Sequence, residues 1–445
     1  MKRRLVRCFL GISLGYVIIL GALFYWQLFA NMGQHPSNPR YYQMFREERG
    51  AILDRHGEFL AYSNQREEVF TRVYATPSLS HVVGYFHQRY GLTGLERLYH
   101  EDLLRGRWLH TTIDLQLQTF VEEMLAGREG GVIVLKPNTG EVLALVSSPT
   151  VDGNSLDQSW SDYLGDQRSP FLNRVTQGLY PPGSLIKPII YGGALEQKLA
   201  EPNKIWTDRG ILQIQNRVLS NYNGKALGVI TTDQALAYSS NVVFAQLAMD
   251  LGEELLGYLS KFGLGFQTNF ELSVKGGFVP PKASAPFTLA QLGIGQGELL
   301  VTPLQMGVVV ATIANRGVMM QPYLVQELRG GLQMRQISRP RVLGEILPEH
   351  VALSLRDAMV LTVQEGTAQG VAHLDLDLAA KTGTAQVGQG QDHSWFMGFA
   401  PSHRPEVAVV VLIEHGGSGG AVATPLGAKI IAKALELGES EKGKR

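Results

Sequence analysis

The chain of 445 residues has a single cysteine, Cys8, so no internal disulfide framework and no multi-cysteine zinc site can form. Its eleven histidines show no H-E-x-x-H or similar pair, and the sequence offers no compact set of metal ligands; no metal is expected. It carries no excess of either charge, with Lys+Arg and Asp+Glu at 40 each, which removes the electrostatic ground for a nucleic-acid partner. A dinucleotide fingerprint is also missing: "GIGQGE" has the wrong spacing and opens no βαβ unit, so no cofactor is indicated. There is no fixed-period repeat and no low-complexity tract. Charged residues are only 18% and apolar ones 44%, a globular composition with an apolar addition.

The addition is at the front. "MKRRLVR" holds Lys2, Arg3, Arg4 and Arg7, and the uncharged run "CFLGISLGYVIILGALFYWQLFA" follows, residues 8–30. As a helix it spans roughly 35 Å, enough to cross a bilayer. Basic residues before it favour a cytoplasmic N-terminus and an extracytoplasmic remainder. The alternative is a cleaved signal peptide, but the run is longer than the usual apolar region of one. An uncleaved single-pass anchor is expected.

Residues 31 to about 65 are polar and turn-rich. Within them "GAILDRHGEFLAYS" reads as a hairpin turning at "DRHG". A helix is expected after Thr93, which has capping-box spacing to Glu96. "LHTTIDLQLQTFVEEMLAG" reads as a strand entering a helix capped near Asp114. A sharper unit starts at Gly131, where "GVIVLKPNTGEVLALVSSP" gives two β-rich runs around a turn. Helical patterns are expected to dominate from 184 to 313, including "TPLQMGVVVATIANRG" with Pro303 in its first turn. Strands return in "LAAKTGTAQVG", "SWFMGFAP" and "EVAVVVLIEH"; a last helix, "TPLGAKIIAKALELG", precedes a frayed tail, "ESEKGKR". Strands first and last with helices between predict one sheet whose ends meet, covered by helices: an α+β fold.

Three short segments can carry chemistry. In "LYPPGSLIKP" the prolines place Ser184 near a helix start, and Lys187 follows at i+3 on the same face. Free N–H groups there favour developing negative charge. A serine needs a base to become nucleophilic, and an ordinary lysine is protonated. Burial and a second cation would each push Lys187 toward neutrality. Taken alone, the segment reads first as an ordinary N-cap serine, and S-x-x-K arises by chance in many chains of this length. In "YSSN", Ser239 and Asn241 flank Ser240 on a turn between helical patterns, where a hydroxyl and an amide can relay a proton and hold a carbonyl; a plain helix cap is the alternative. In "KTGTAQ", read as a strand, Lys381, Gly383 and Ala385 share one side. Lys381 can be the second cation, and Gly383 leaves room for a peptide against the strand edge. Thr382 and Thr384 can bind a carboxylate, and the Thr384 N–H can join that of Ser184 in an oxyanion hole. A surface strand with a bulge is the alternative here. The order S-x-x-K, S-x-N, K-T-G joins the three and is the set known from serine β-lactamases and penicillin-binding proteins.

On these motifs the chain resembles the class B penicillin-binding proteins, membrane-anchored D,D-transpeptidases of bacterial cell-wall synthesis. The resemblance extends to "RGAILDRHGEFLA", "GLTGLERLYHEDLLRG", "TTIDLQLQ", "GVIVLKPNTGEVLALVSSP", "GIGQGELLVTPLQM" and "HSWFMGFAP". "HVVGYFHQRYGLTGLE" and the short stalk are most similar to the penicillin-binding protein A branch. Ala380 and Lys136 depart from the family's usual glycine and acidic residue. The resemblance implies a cytoplasmic tail at 1–7, an anchor at 8–30 and a short pedestal at 31–130. It then implies a transpeptidase domain at 131–437, with a central antiparallel sheet and an all-α subdomain, and a tail at 438–445.

The resemblance also implies roles. Ser184 attacks the D-alanyl-D-alanine carbonyl of a peptidoglycan stem peptide, and neutral Lys187 is the base. Ser239 passes the proton to the departing D-alanine, and Asn241 orients the substrate and Lys187. Lys381 sets the electrostatics, and Thr382 and Thr384 grip the terminal carboxylate. A β-lactam imitates the substrate and stays attached. A multi-pass glycan polymerase of elongation, division or sporulation is the implied partner, with residues 31–130 and the anchor as the contact surface. The roughly 100 residues between anchor and catalytic domain leave no room for a glycosyltransferase domain. A D,D-carboxypeptidase or β-lactamase shares the motifs but passes the acyl group to water. A β-lactam sensor or a non-catalytic scaffold are the rivals outside enzymology.

Overall fold

Two apolar runs explain the centre of the molecule. "GVIVL" and "VAVVVLI" form the neighbouring strands Gly130–Leu135 and Val407–Ile413, and both are buried along their whole length. Successive side chains point to opposite faces. Val132, Val134, Val409 and Val411 therefore enter one core, and Ile133, Leu135, Val410 and Leu412 the other. A strand covered on both faces reads as a continuous apolar run.

The computed structural model describes residues 2–28, 46–66, 69–330, 333–336, 339–388 and 390–442. The expectations for residues 29–45 and 443–445 lie outside them. The central sheet is five-stranded and antiparallel, in the order Ala379–Ala385, His393–Ala400, Val407–Ile413, Gly130–Leu135, Val142–Ser148. Late strands thus meet early ones, with Ile413 opposite Gly130 and Ala408 opposite Leu135. The helices Leu115–Leu125 and Ala423–Lys442 cover one face. Pro303–Ala314 lies on the other, and the helices Lys187–Glu196, Asn241–Leu251 and Glu349–Gln364 join the same core. Capping follows the chain: Asp114 accepts from Leu117 N at 2.9 Å, and Thr302 with Gln305 forms a capping box before Pro303.

A second sheet of six strands is built on residues 52–111: its order is Gln333–Gln336, Val325–Gly330, Trp108–Thr111, Ile52–Leu53, Phe59–Arg66, Val69–Tyr74. The hairpin across "DRHG" is formed, with Ile52 opposite Ala61. Two strands of this sheet come from far downstream, Val325 lying opposite Thr111 and Arg329 opposite Trp108. The helix Lys2–Leu28 is long and apolar enough to cross a membrane, and its described side chains are exposed or half-buried.

Two expectations change and a third gains detail. Helices dominate the 184–313 stretch as expected, but strands interrupt them: Ile205–Asp208 pairs with Gly228–Thr231, and Ile211–Ile214 with Arg217–Ser220. β-Branched residues in four-residue runs and a positive φ at Gln215 in the hairpin turn favour these strands. The capping box at Thr93 does not form. Glu96 is fully buried instead, held by Arg49 at 2.8 Å and Arg72 at 2.5 Å, and Thr93 Oγ1 accepts from Tyr85 N. The helix there breaks at Tyr99 into Gly94–Leu98 and His100–Leu104. The tail is not frayed through its first four residues, because the last helix runs to Lys442.

Candidate active site

The strand Ala379–Ala385 is an edge of the central sheet, and the 3₁₀ turn Gly183–Ile186 packs against it. A 3₁₀ turn has three residues per turn, so Ser184 and Lys187 are stacked on one side. Lys187 opens the following α-helix. The close approach needs glycine twice. Gly183 has φ +52, and a Cβ there would lie 2.8 Å from Thr384 O. A Cβ on Gly383 would lie 2.5 Å from Leu185 Cδ1 and 3.1 Å from Trp395 Cβ. The room left by Gly383 is therefore filled from within by Leu185, not kept open for a peptide. The expected oxyanion donors, the N–H groups of Ser184 and Thr384, sit on the two elements that meet here.

The turn is held in place from behind. Trp395 Nε1 donates to Pro181 O at 3.2 Å, and Gly183 N to Gly295 O at 3.0 Å. Tyr180 Oη donates to Glu414 at 2.5 Å, and Arg174 Nε donates to the same carboxylate at 2.9 Å.

Lys187, Ser239, Asn241 and Lys381 form one hydrogen-bonded cluster. Lys187 Nζ lies 2.7 Å from Ser239 O, 2.8 Å from Asn241 Oδ1 and 3.2 Å from Ser239 Oγ. Lys381 Nζ donates to Ser239 Oγ at 3.0 Å and to Thr382 O at 2.8 Å. Ser239 thus sits between two amines. It has φ +61, a region that non-glycine residues occupy at a cost and that concentrates at functional sites. Ser184 is half-buried beside this cluster, and among the described residues no hydrogen bond joins its Oγ to Lys187 Nζ.

Both lysines are fully buried. Burial pushes Lys187 well below its ordinary value, the charge of Lys381 pushes it further, and Asp208 opposes them. Burial lowers Lys381 to about 7. A neutral Lys187 has two N–H groups and one lone pair. Ser239 O and Asn241 Oδ1 can only accept and take the two N–H groups, which leaves the lone pair for a hydroxyl. A protonated Lys381 donating to Ser239 Oγ leaves that hydroxyl's proton free to move toward Lys187. The arrangement can deprotonate a serine and return a proton through a second one.

The two threonines have protein partners already. Thr382 Oγ1 and Thr367 Oγ1 share a bond of 2.6 Å, and Thr384 Oγ1 accepts from Gly419 N at 3.1 Å. As an acceptor there, Thr384 keeps its own O–H to donate.

Sequence reasoning missed the scaffold under this cluster. Asp208 is buried and accepts from Ser240 Oγ at 2.5 Å, from Asn221 Nδ2 at 2.9 Å and from Gly210 N at 2.7 Å. Asn221 Oδ1 accepts from the backbone N of Asn241, and Asn241 Nδ2 donates to Ser220 O. Ser240, passed over between its neighbours, caps the helix Asn241–Leu251 and ties it to Asp208. Glu365 and Thr367 were also missed: Glu365 accepts from Tyr238 Oη at 2.8 Å, and Thr367 N donates to Ala237 O. No spacing in the sequence marks these residues, because the bonds that join them to one another and to the cluster span 13 to 130 positions.

A family model described as the penicillin binding protein transpeptidase domain matches residues 130–432, and one described as the penicillin binding protein A dimerisation domain matches residues 49–129. The peptidoglycan D,D-transpeptidase PbpA of Mycolicibacterium smegmatis is 33% identical over 98% of this chain and 100% of its own. The peptidoglycan D,D-transpeptidase MrdA of Escherichia coli is 32% identical over 72% of this chain and 56% of its own. The structure of penicillin-binding protein A from M. tuberculosis as a penicillin G acyl-enzyme complex superposes with a TM-score of 0.81 at 32% identity, covering 87% of this chain and 100% of that one.

Proposed function

This chain belongs to the penicillin-binding protein transpeptidase family, and from that premise we propose that it cross-links peptidoglycan stem peptides through an ester on Ser184. The observation that carries the reading is the single cluster in which Lys187, Ser239, Asn241 and Lys381 hydrogen-bond beside the Ser184 turn.

Lys187 takes the Ser184 hydroxyl proton on its lone pair as Oγ attacks the carbonyl carbon between two D-alanines. The N–H groups of Ser184 and Thr384 stabilise the oxyanion. The C–N bond then breaks. The leaving amine receives the Ser239 proton, which Ser239 recovers from Lys187, and D-alanine departs. An amine of a second stem peptide attacks the ester and gives its proton to Lys187. Ser184 leaves as the alcohol with that proton, and the new amide is the cross-link. Thr384 O–H, with Thr382, holds the terminal carboxylate, and the open edge of the Ala379–Ala385 strand supports an extended peptide beside it. A β-lactam follows the first half. Its amide C–N bond breaks, but the amine remains tethered and the ester persists.

The helix Lys2–Leu28, with Lys2, Arg3, Arg4 and Arg7 at its start, supports a single-pass anchor with a cytoplasmic N-terminus and an extracytoplasmic catalytic domain. A multi-pass membrane glycan polymerase is the proposed partner, met by the anchor and the six-stranded sheet. Labelling with a fluorescent penicillin tests the chemistry: the wild type is expected to be labelled and Ser184→Ala not. Covalent labelling retained in that variant would place the nucleophile elsewhere. Cross-linked dimer should form from stem peptides; release of free D-alanine without dimer would favour a carboxypeptidase.

A further inference from the structure

Behind the Ser184 cluster lies a carboxylate without a cation. Asp208 closes the strand Ile205–Asp208 and is buried. Its Oδ1 accepts from Gly210 N at 2.7 Å and Asn221 Nδ2 at 2.9 Å, and its Oδ2 from Asn221 Nδ2 at 2.9 Å and Ser240 Oγ at 2.5 Å. Every one of these donors is neutral. Among the described residues, no lysine, arginine or histidine forms an ion pair with it. Arg209, next in the chain, and Lys225, whose carbonyl accepts from the same Asn221 amide, are exposed. A buried charge is ordinarily matched by an opposite one, so this one calls for an explanation.

Its place supplies one. Three consecutive residues hold both Asp208 and Lys187. The outer two bind the amine, through Ser239 O at 2.7 Å and Asn241 Oδ1 at 2.8 Å. The middle one, Ser240, binds the carboxylate. Asn221 joins them a second time: its Nδ2 donates to Asp208, and its Oδ1 accepts from the backbone N of Asn241 at 2.8 Å and of Val242 at 3.2 Å. A buried carboxylate and a buried amine are thus fixed to one short turn, with no hydrogen bond between them among the described residues. At low local dielectric a charge acts strongly without contact.

A general base has to be neutral at rest and still gain a proton in the transition state. For Lys187 the second condition is the harder one. Burial opposes its ammonium form, Lys381 on the Ala379–Ala385 strand opposes it again, and Asp208 on Ile205–Asp208 favours it. The Phe244 ring on Asn241–Leu251, 5.6 Å from Nζ, adds a weak attraction, and Asp233 on Thr232–Ala237 is engaged by Tyr191 Oη. We propose that Asp208 is a positioning residue for acylation: its charge, held behind the turn by Ser240 and Asn221, stabilises Lys187 while Nζ takes the proton of Ser184 Oγ, and its hydrogen bonds keep Asn241 Oδ1 on Nζ. Neutral partners are what this role needs, because an arginine or lysine bonded to Asp208 would cancel its field. The proposal rests on the reading of Lys187 as the base.

The pH profile of the second-order rate constant for benzylpenicillin acylation, measured on the full chain in detergent micelles, tests it, because the acidic limb reports protonation of the free base. Asp208→Asn is expected to slow acylation about tenfold or more at the optimum and to move the acidic limb down by about one pH unit, the low end of what a nearby charge does to a pKa. Ser240→Ala loses a bond to Asp208 and the helix cap but keeps the carboxylate, so it slows acylation and leaves the limb in place. Asp208→Ser removes the same charge with a smaller side chain and is expected to show the same displacement; it takes the place of Asp208→Asn should that variant not melt cooperatively. A limb that stays at the wild-type pH in the neutral variants, as in Ser240→Ala, overturns the proposal and leaves Asp208 a structural part of the turn. A wild type without an acidic limb overturns Lys187 as the base and this proposal with it.

Discussion

At the scale of the residue, the two buried lysines pull stability and activity in opposite directions. Lys381 falls from 10.5 to about 7 because burial penalises its charge. Between those values the unfolded chain holds a proton that the folded chain has lost, so this lysine's contribution to stability improves as pH rises. Its penalty is complete below about pH 7 and gone above about 10.5. Lys381→Met is therefore expected to raise the melting temperature at pH 6 and to change it little at pH 10, while slowing acylation by a hundredfold or more. In the wild type, acylation should decline above about pH 7 as Lys381 loses the proton it donates to Ser239, and the slow variant should lack that limb. Unchanged acylation in Lys381→Met would remove this account of the Ser239 relay. Lys187 is pushed toward neutrality first by burial and only then by Lys381, a ranking that spacing along the chain does not contain.

At the scale of the element, the site depends on a turn pressed against a strand. Leu185, the residue after Ser184, is fully buried and occupies the space that a side chain at 383 would need. Gly383→Ala is expected to overpack this contact by about 1–3 kcal/mol and to slow acylation at least tenfold by displacing the Ser184 turn. Adding Leu185→Val removes the clashing Cδ1 and should recover part of the rate. Additive losses in the double variant, measured by the same penicillin acylation rate, would show that the two positions do not oppose each other. The elements themselves were largely legible: "GVIVL", "KTGTAQ" and "EVAVVVLIEH" announce strands, and Asp114 and Pro303 announce helix starts. The strands between Ile205 and Thr231 were not, because each has four residues and two or three of these face solvent, too few buried apolar positions to show a period of two. Glu96 misled for another reason. Its spacing to Thr93 is that of a cap, but two arginines from elsewhere in the chain compete for the carboxylate and bind it more strongly than one backbone N–H can.

At the scale of the whole molecule, the two sheets are not independent. Val325–Gly330 leaves the second segment to pair with Trp108–Thr111, and Thr112 Oγ1 donates to Val142 O. Val325 and Leu328 are buried there. Deleting residues 1–129 would strip the Val325–Gly330 strand of a partner and bare its apolar side. That truncation is expected to aggregate and to be labelled weakly by penicillin, whereas a chain beginning at residue 46 should remain soluble and acylate normally. Equal labelling of the two, compared per mole of soluble protein, would show that the six-stranded sheet is dispensable to the Ser184 site.

By itself the sequence determined the local chemistry: which runs are apolar enough to be strands or a membrane helix, which residues cap, and which three segments carry a hydroxyl, an amide or an amine. These depend on neighbours a few positions away, and a linear pattern records them. Only the tertiary structure decided what those groups experience. Burial of Lys187 and Lys381, the Asp208–Ser240–Asn221 support, and Leu185 in the space beside Gly383 all arise between residues far apart in the chain. Desolvation and charge act through distance in space, so they appear only once the chain has closed on itself.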